Sequence, residues 1–144
     1  MVPALFIGHG SPYLAVQQNE YSRFLHQLGQ RFKPKAIAIF SAHWESETLS
    51  LTYTDDVLDT VYDYYGFPEE MYRVKYPAKG SVKIAEILED RFDRYGIKTR
   101  REEKRGLDHG SHCGICIQTL TSLSFNYPSI LSCHPRNSTI LAGR

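Results

Sequence analysis

The stretch Lys35–Glu45, KAIAIFSAHWE, decides how the rest of this sequence can fold. Up to Phe40 it is an almost continuous apolar run with β-branched and aromatic members, which predicts a strand buried on both faces, as in a parallel sheet. The run then changes abruptly to a polar cluster that contains His43. In open α/β sheets ligands bind at the carboxyl ends of strands, and imidazole can ligate a metal or carry protons near neutral pH. His43 is therefore the first candidate for chemistry.

The N-terminal stretch Pro3–Gly8, PALFIG, repeats this arrangement, because it is an apolar run followed directly by His9. It predicts a second buried strand, and a helix between the two strands would complete a βαβ unit. If these strands are adjacent and parallel, His9 and His43 lie side by side at one rim of the sheet. The same pattern fits two unrelated histidines at strand ends equally well.

The other elements are predicted from caps, breakers and periodicity. The first helix begins after an Asn cap and stops before proline, and the second begins after a Ser cap and ends at a left-handed glycine. The predicted features are the helix from Asn19 to Pro34, a half-exposed strand Leu49–Thr54, a tyrosine-rich loop Tyr62–Pro77 with a helical turn after Pro68, the helix from Ser81 to Gly96, and a short strand Ile97–Arg101.

Composition narrows the class of protein. A chain of 144 residues allows one domain with a moderate core, and its formal net charge of +1 gives no reason to expect nucleic acid or an anionic membrane as partner. The sequence has no apolar run of about 20 residues and no basic, then apolar N-terminus. A soluble cytoplasmic protein is therefore expected.

A loop near residue 110 supplies a third histidine. Gly106–Gly110 reads GLDHG, in which Asp108 and His109 are either an ordinary turn or an imidazole presented to a pocket. A return of this loop to the rim would bring His109 to His9 and His43, and imidazoles of this kind favour Zn²⁺ or Fe²⁺. A further histidine, His26, falls within the first helix and is expected at its solvated surface.

The last 34 residues, Ser111–Arg144, differ from the rest of the chain. They contain all three cysteines but no aspartate, glutamate or lysine. An odd cysteine count argues against a disulfide framework in a cytosolic chain. A C-x-x-C pair with nearby histidines is a zinc-ligand pattern, although no compact knuckle frames its second half. The residues of this alternative zinc site are His109, His112, Cys113, Cys116, Cys133 and His134.

Several motifs occur in an order that resembles a known family. HGSP at His9, FSAHWE around His43, YDYYGFPEEMY from Tyr62, YPA at Tyr76 and GLDHG around His109 are similar to the class III extradiol ring-cleavage dioxygenases, in their 4,5-DOPA extradiol dioxygenase-like branch. The resemblance covers residues 2–110.

It implies an α/β fold, with a mixed, largely parallel sheet flanked by helices. It also implies one mononuclear Zn²⁺ or Fe²⁺ held by His9 and His43, with His109 as acid/base, acting on a catechol such as DOPA with O2. Family members take the third metal ligand from a part that follows Gly110, and we expect this third protein ligand to be missing from the chain.

The resemblance stops where the tail begins. We therefore expect residues 1–110 to be the N-terminal part of a dioxygenase catalytic domain, and residues 111–144 to be an irregular tail. Degenerate codons for His112–Tyr127, read from each third base, permit Leu-Trp-x-Leu-Tyr-Pro-Asn-Ala-Asp-Ile-Pro-Val-Val-Gln, which is similar to the family's continuation. This favours out-of-frame translation of the tail and a truncated enzyme, whose activity the sequence leaves open. The alternative is a non-catalytic metal-binding fragment or zinc module that uses the tail cysteines.

Overall fold

The computed structural model of the protein describes residues 4–32, 34–111 and 129–133. In chain order its elements are a 3-10 turn Pro12–Ala15, helix α1 Glu20–Arg31, strands β1 Ala36–Phe40 and β2 Leu49–Thr52, a 3-10 turn Glu69–Arg73, helix α2 Val82–Arg94, and strands β3 Thr99–Glu102 and β4 Ser129–Cys133. The strand order is β1-β4-β2-β3. β1 with β4 and β2 with β3 are parallel, and β4 meets β2 in the antiparallel sense. The predicted α/β class with a mixed, largely parallel sheet is confirmed.

Helix α1 follows from its cap. The side chain of Asn19 accepts the backbone N–H of Ser22, and the Ser22 hydroxyl accepts the backbone N–H of Asn19, so two N–H groups at the helix start are satisfied reciprocally. Leu25 faces inward and packs with Leu14 and Ile7. The helix is thereby tied to the segment that precedes His9.

The unit β2-α2-β3 supplies one of the described core clusters. Ser81 caps α2, and Gly96 at φ +70° ends it in the left-handed region, as the sequence predicts. Leu49 and Leu51 of β2 are buried against Ala85 of α2, with partly buried side chains around them. Full burial of one leucine side chain contributes about 1.5–3 kcal/mol.

Two predictions of burial were wrong, and they were wrong in opposite directions. β1, expected to be buried on both faces, is only partly covered, and Phe40 at its end is 54% exposed. β2, expected to be half exposed, is buried at all four residues. The reason is the strand order: β2 lies between β4 and β3 with α2 on one face, whereas β1 is at the edge of the described sheet.

The predicted first strand was also wrong. Residues 4–8 have no strand pairing within the described part of the chain, and Phe6 is fully exposed. A strand needs a hydrogen-bonded neighbour, and an apolar run does not by itself supply one. The predicted first βαβ unit is therefore not formed by the described residues, whereas the later unit β2-α2-β3 is.

Among its described residues, the tail contributes one strand. Residues 129–133 form β4, which pairs with the whole of β1 from Ala36 opposite Ser129 to Phe40 opposite Cys133. The sequence did not predict this strand. Within the described residues, no helix has the length and apolar character needed to cross a membrane.

Candidate functional site

Three histidines distant in sequence converge beyond the end of β1. His9 follows the extended segment 4–8, His43 lies three residues past β1, and His109 begins a helical turn at residues 109–111. One ring nitrogen from each lies within 4.8 Å of the other two. The ring centroids of His43 and His109 are 4.1 Å apart, and His9 is 4.7 and 4.9 Å from them. The structure therefore brings together all three residues that the sequence singled out.

The shortest contact in this histidine cluster joins the Nε2 atoms of His43 and His9, which are 2.8 Å apart. Two nitrogens about 2.0–2.1 Å from one ion are about 2.9 Å apart at a right angle and about 3.3 Å apart at the tetrahedral angle that Zn²⁺ prefers, so the separation of 2.8 Å is close to that of two ligands of a shared ion. Two unprotonated nitrogens at this distance repel each other, so either a shared proton or a cation must lie between them. The donor set and its spacing thus fit one divalent ion of the borderline type that imidazole favours.

Burial and charge keep His9 neutral. Burial is the largest cause, and the neighbouring imidazoles of His109 and His43 add to it, so the pKa of His9 lies below its ordinary value of 6.5. A neutral imidazole has a lone pair available for a metal ion. His43 is 32% exposed at its side chain, whereas His109 is 9% exposed.

Asp63 lies against two of these imidazoles. Its Oδ1 accepts the backbone N–H of His109 at 3.0 Å and is 2.9 Å from Nδ1 of the same residue. Its Oδ2 is 3.5 Å from Nδ1 of His43. Burial opposes ionisation of Asp63, but the hydrogen bonds from His109 outweigh it and hold the pKa of this carboxyl below its ordinary value.

Asp108 joins the two segments that carry His43 and His109. It is fully buried, and its Oδ1 accepts the Ser41 hydroxyl at 2.7 Å and both the hydroxyl and the backbone N–H of Ser111 at 2.9 Å. Asp108 thus acts as the N-cap of the helical turn at residues 109–111. Because the Ser41 hydroxyl also accepts the backbone N–H of His43, the carboxylate fixes both histidine segments through side-chain hydrogen bonds.

Two glycines allow this close approach. A Cβ atom at Gly110 would meet Cδ2 of His43 at 2.6 Å, and one at Gly106 would meet the carbonyl oxygen of Asp59 at 2.3 Å. The second contact belongs to a backbone pairing in which Leu107 donates to Asp59 at 2.8 Å. This pairing holds the GLDHG loop against the segment that leads to Asp63.

Comparison with known proteins places this arrangement in a family. Residues 3–116 match the family described as the catalytic LigB subunit of aromatic ring-opening dioxygenase. The chain belongs to this family. Like the sequence resemblance, the match includes His9, His43 and His109, and it extends a few residues beyond Gly110.

Two curated proteins are similar to this LigB-family chain. A 4,5-DOPA dioxygenase extradiol-like protein of Schizosaccharomyces pombe is 38% identical over 130 residues, covering 76% of this chain and 44% of that protein. A 4,5-DOPA dioxygenase extradiol of Beta vulgaris is 40% identical over 111 residues, covering 74% of this chain and 41% of that protein. The chain thus spans less than half the length of these relatives.

A solved structure shows the same fold. The crystal structure of an uncharacterized protein from Escherichia coli K12 superposes with a TM-score of 0.61 at 22% identity, covering 85% of this chain and 43% of that one. The comparison shows that the described sheet and helices have the fold of the corresponding part of that protein.

The tyrosine-rich loop forms one wall beside the histidine cluster. The rings of Tyr64 and His109 are 5.7 Å apart and nearly perpendicular, and Tyr64 in turn contacts Phe67 and Tyr72. The Tyr64 hydroxyl donates to the Met71 carbonyl at 2.8 Å, which holds the ring in place. The predicted helical turn after Pro68 is confirmed as the 3-10 turn.

Sequence reasoning missed Asp63 and the buried role of Asp108. Asp63 lies in the tyrosine-rich loop, 46 residues from the histidine it contacts, and no local pattern marks it. Asp108 carried a signal, since an aspartate placed three residues before Ser111 is an N-cap pattern. His26 lies on α1, with its Nε2 2.9 Å from the Gln30 amide nitrogen, and belongs to no metal cluster among the described residues.

Most of the alternative zinc site falls outside the described residues. His112, Cys113, Cys116 and His134 are not among them, and Cys133 is described only as the last residue of β4. The zinc-module prediction therefore stays a prediction.

Proposed function

We propose that this chain carries the histidine centre of a metal-dependent extradiol dioxygenase that opens the ring of a catechol with O2. The observation that carries the proposal is the convergence of His9, His43 and His109 within 4.8 Å. The names of the two curated relatives, 4,5-DOPA dioxygenase extradiol and 4,5-DOPA dioxygenase extradiol-like protein, support a catecholic substrate such as DOPA. A cytoplasmic location, as predicted from the sequence, is part of the proposal.

In this proposal His9 and His43 hold the metal ion through imidazole nitrogens. Their Nε2 separation of 2.8 Å suits two ligands of one ion, and the depressed pKa of His9 keeps its lone pair available at neutral pH. The ion would be Fe²⁺ or Zn²⁺. When bound, it would supply Lewis acidity toward the two catechol oxygens and, as Fe²⁺, the redox capacity that O2 requires.

His109 acts as the acid/base residue. Its Nδ1 faces the Asp63 carboxylate, so its Nε2 is left to accept a proton from a substrate hydroxyl and to return it later. The side chain is largely shielded from water, which keeps bulk solvent from competing for this proton. The Tyr64 ring beside it offers an aromatic face to a flat ligand.

The decisive experiment is oxygen uptake by the purified chain after anaerobic loading with Fe²⁺. L-DOPA should be consumed with an equal amount of O2, whereas resorcinol, whose hydroxyls cannot both reach one ion, should not. The variant His43→Gln should abolish uptake, and the matched variant His26→Gln should not change it. Equal oxygen uptake by wild type and His43→Gln would refute the assignment of the site.

His109→Gln separates a metal ligand from an acid/base residue. The proposal expects this variant to retain Zn²⁺ in isothermal titration while losing oxygen uptake. Loss of Zn²⁺ binding comparable with that of His43→Gln would instead make His109 a ligand.

A second candidate keeps the metal ion but not the oxygen chemistry. A chain that binds Zn²⁺ through His9 and His43 and consumes no O2 would be a metal-binding fragment. The variant Cys113→Ala tests the zinc-module form of this alternative, because only that form expects it to release Zn²⁺.

A further inference from the structure

Asp63 is the only described carboxylate that lies against two members of the histidine cluster. Its Oδ1 is occupied by His109, through both the backbone N–H and Nδ1, while its Oδ2 faces Nδ1 of His43. The side chain is 22% exposed, so solvent only partly screens these interactions.

The loop around Asp63 is fastened on both sides of this residue. The hydroxyl of Tyr62 donates to the Val74 carbonyl at 3.0 Å, and the hydroxyl of Tyr64 donates to the Met71 carbonyl at 2.8 Å. These two hydrogen bonds flank Asp63 in sequence and tie it to the segment of the 3-10 turn. The carboxylate is thus held at a fixed place and does not sit on a free loop tip.

An ionised carboxylate only accepts hydrogen bonds. His109 must therefore carry its proton on Nδ1 to make the 2.9 Å contact with Oδ1. The negative charge of Oδ2 at 3.5 Å favours the same tautomer in His43, with less force because this distance exceeds a good hydrogen bond. In both rings the Nε2 atom is then left unprotonated.

We infer that Asp63 is a positioning residue that sets the tautomers of both His43 and His109, so that each directs a bare Nε2 into the cluster. Carboxylates beside metal-bound or catalytic imidazoles act in this way in general, and their loss costs about 10–100-fold in metal affinity or activity. For catalysis the inference rests on the proposed function. For the tautomers of the metal-free chain, the inference is independent of the proposed function.

The 2.8 Å contact between Nε2 of His43 and Nε2 of His9 holds one proton, which either ring can donate. If the Nε2 of His43 is bare, His9 must donate the single proton of this contact in the metal-free chain. A metal ion bound at the Nε2 of His9 then requires the single proton of this neutral ring to move to its Nδ1, whereas His43 and His109 need no such change.

The test is long-range nitrogen–proton NMR on the metal-free full chain labelled with ¹⁵N in histidine, which reads the tautomer of each ring directly. In the wild type, His43 and His109 should both show the Nδ1–H form. Asp63→Ala should shift both toward mixtures or the Nε2–H form. His26 is the internal reference and should not change.

Asp63→Asn is the sharper variant because it keeps the shape of the side chain. The amide oxygen can still accept from His109, whereas the amide NH₂ group would face Nδ1 of His43 and donate to it. His43 alone should then switch to the Nε2–H form, and Zn²⁺ should bind about 10–100-fold more weakly. The exposed substitution Asp90→Asn is the matched control and should leave both readouts unchanged.

Two outcomes overturn the inference. One is an Nε2–H form of His109 in the wild type, and the other is an unchanged His43 tautomer in both Asp63 variants. If Asp63→Ala does not fold, the His43 tautomer in the isosteric variant Asp63→Asn still tests the inference. If the tautomers respond as expected but the Fe²⁺-loaded wild type takes up no O2, the inference stands and the proposed function fails.

Discussion

Replacing Asp108 with alanine is expected to lower the free energy of unfolding by about 3–4 kcal/mol. The backbone N–H of Ser111 loses its cap, which costs about 1–2 kcal/mol. The buried hydroxyls of Ser41 and Ser111 each lose an acceptor, at about 1 kcal/mol apiece. With a urea dependence of about 2 kcal/mol per molar, the unfolding midpoint should fall by about 1.5–2 M.

A double-mutant cycle makes this prediction specific to the hydrogen bonds. Ser41→Ala alone should cost about 1–1.5 kcal/mol, but it should cost clearly less when Asp108 is already alanine, because only the hydrogen bond from the His43 N–H then remains to be lost. Asp108→Asn retains one acceptor oxygen and should fall between wild type and Asp108→Ala. The exposed substitution Asp90→Ala should stay within about 0.5 kcal/mol of wild type.

The measurement is urea unfolding at neutral pH, followed by tryptophan fluorescence from Trp44, which is buried near this network. Strict additivity of the Ser41 and Asp108 substitutions would refute the reasoning. A decrease of less than about 1 kcal/mol in the free energy of unfolding of Asp108→Ala would refute it as well. Removal of a fully buried acceptor leaves its three donors without a partner, which costs more than that.

Three further predictions concern the site and the surface. Gly110→Ala should weaken Zn²⁺ binding about tenfold or more in isothermal titration, because its Cβ would meet the His43 ring at 2.6 Å, whereas Gly8→Ala, with nothing within 4 Å, should bind normally. The pKa of His9 is lowered in the folded chain, so the unfolded chain binds a proton at this residue at higher pH than the folded chain does. The free energy of unfolding should therefore fall as pH drops below about 6.5. Urea midpoints of His9→Gln, measured over the same pH range, should show less of this fall. Hydrogen bonds from Arg101 of β3 hold the pKa of Glu89 below 4.5. The contribution of Glu89 to stability is therefore present above that pH and is lost on further acidification. In thermal melts between about pH 3 and 6, the melting temperature of Glu89→Gln should fall less on acidification than that of the wild type.

Local signals predicted the helices well. The cap at Asn19, the cap at Ser81 and the left-handed Gly96 each depend on a few neighbouring residues, and the structure confirms all three. The residues that satisfy helix ends are close in sequence, so a single sequence contains the whole of this information.

Burial could not be predicted in the same way. Whether β1 or β2 is covered depends on which strand becomes its neighbour, and β4 comes from a segment whose composition gave no strand signal. The run before His9 failed for the same reason, since an apolar sequence does not specify a pairing partner.

The candidate site was predictable only through its histidines. His9 and His43 each follow an apolar run, and a glycine-bracketed loop presents His109, so each one can be found from its own surroundings. Asp63 cannot, because its importance arises from a contact that spans 46 residues. The predicted division of the chain at residue 110 stays a prediction.

The position of β4 has a consequence for synthesis. This strand separates β1 from β2, yet it is translated after both of them and after β3. On the ribosome, β1 and the β2-β3 pair must therefore wait with open edges until residues 129–133 emerge. Such waiting edges are where nascent chains associate with one another, so the yield of folded protein should depend on how quickly that late segment arrives or on a chaperone that shields them.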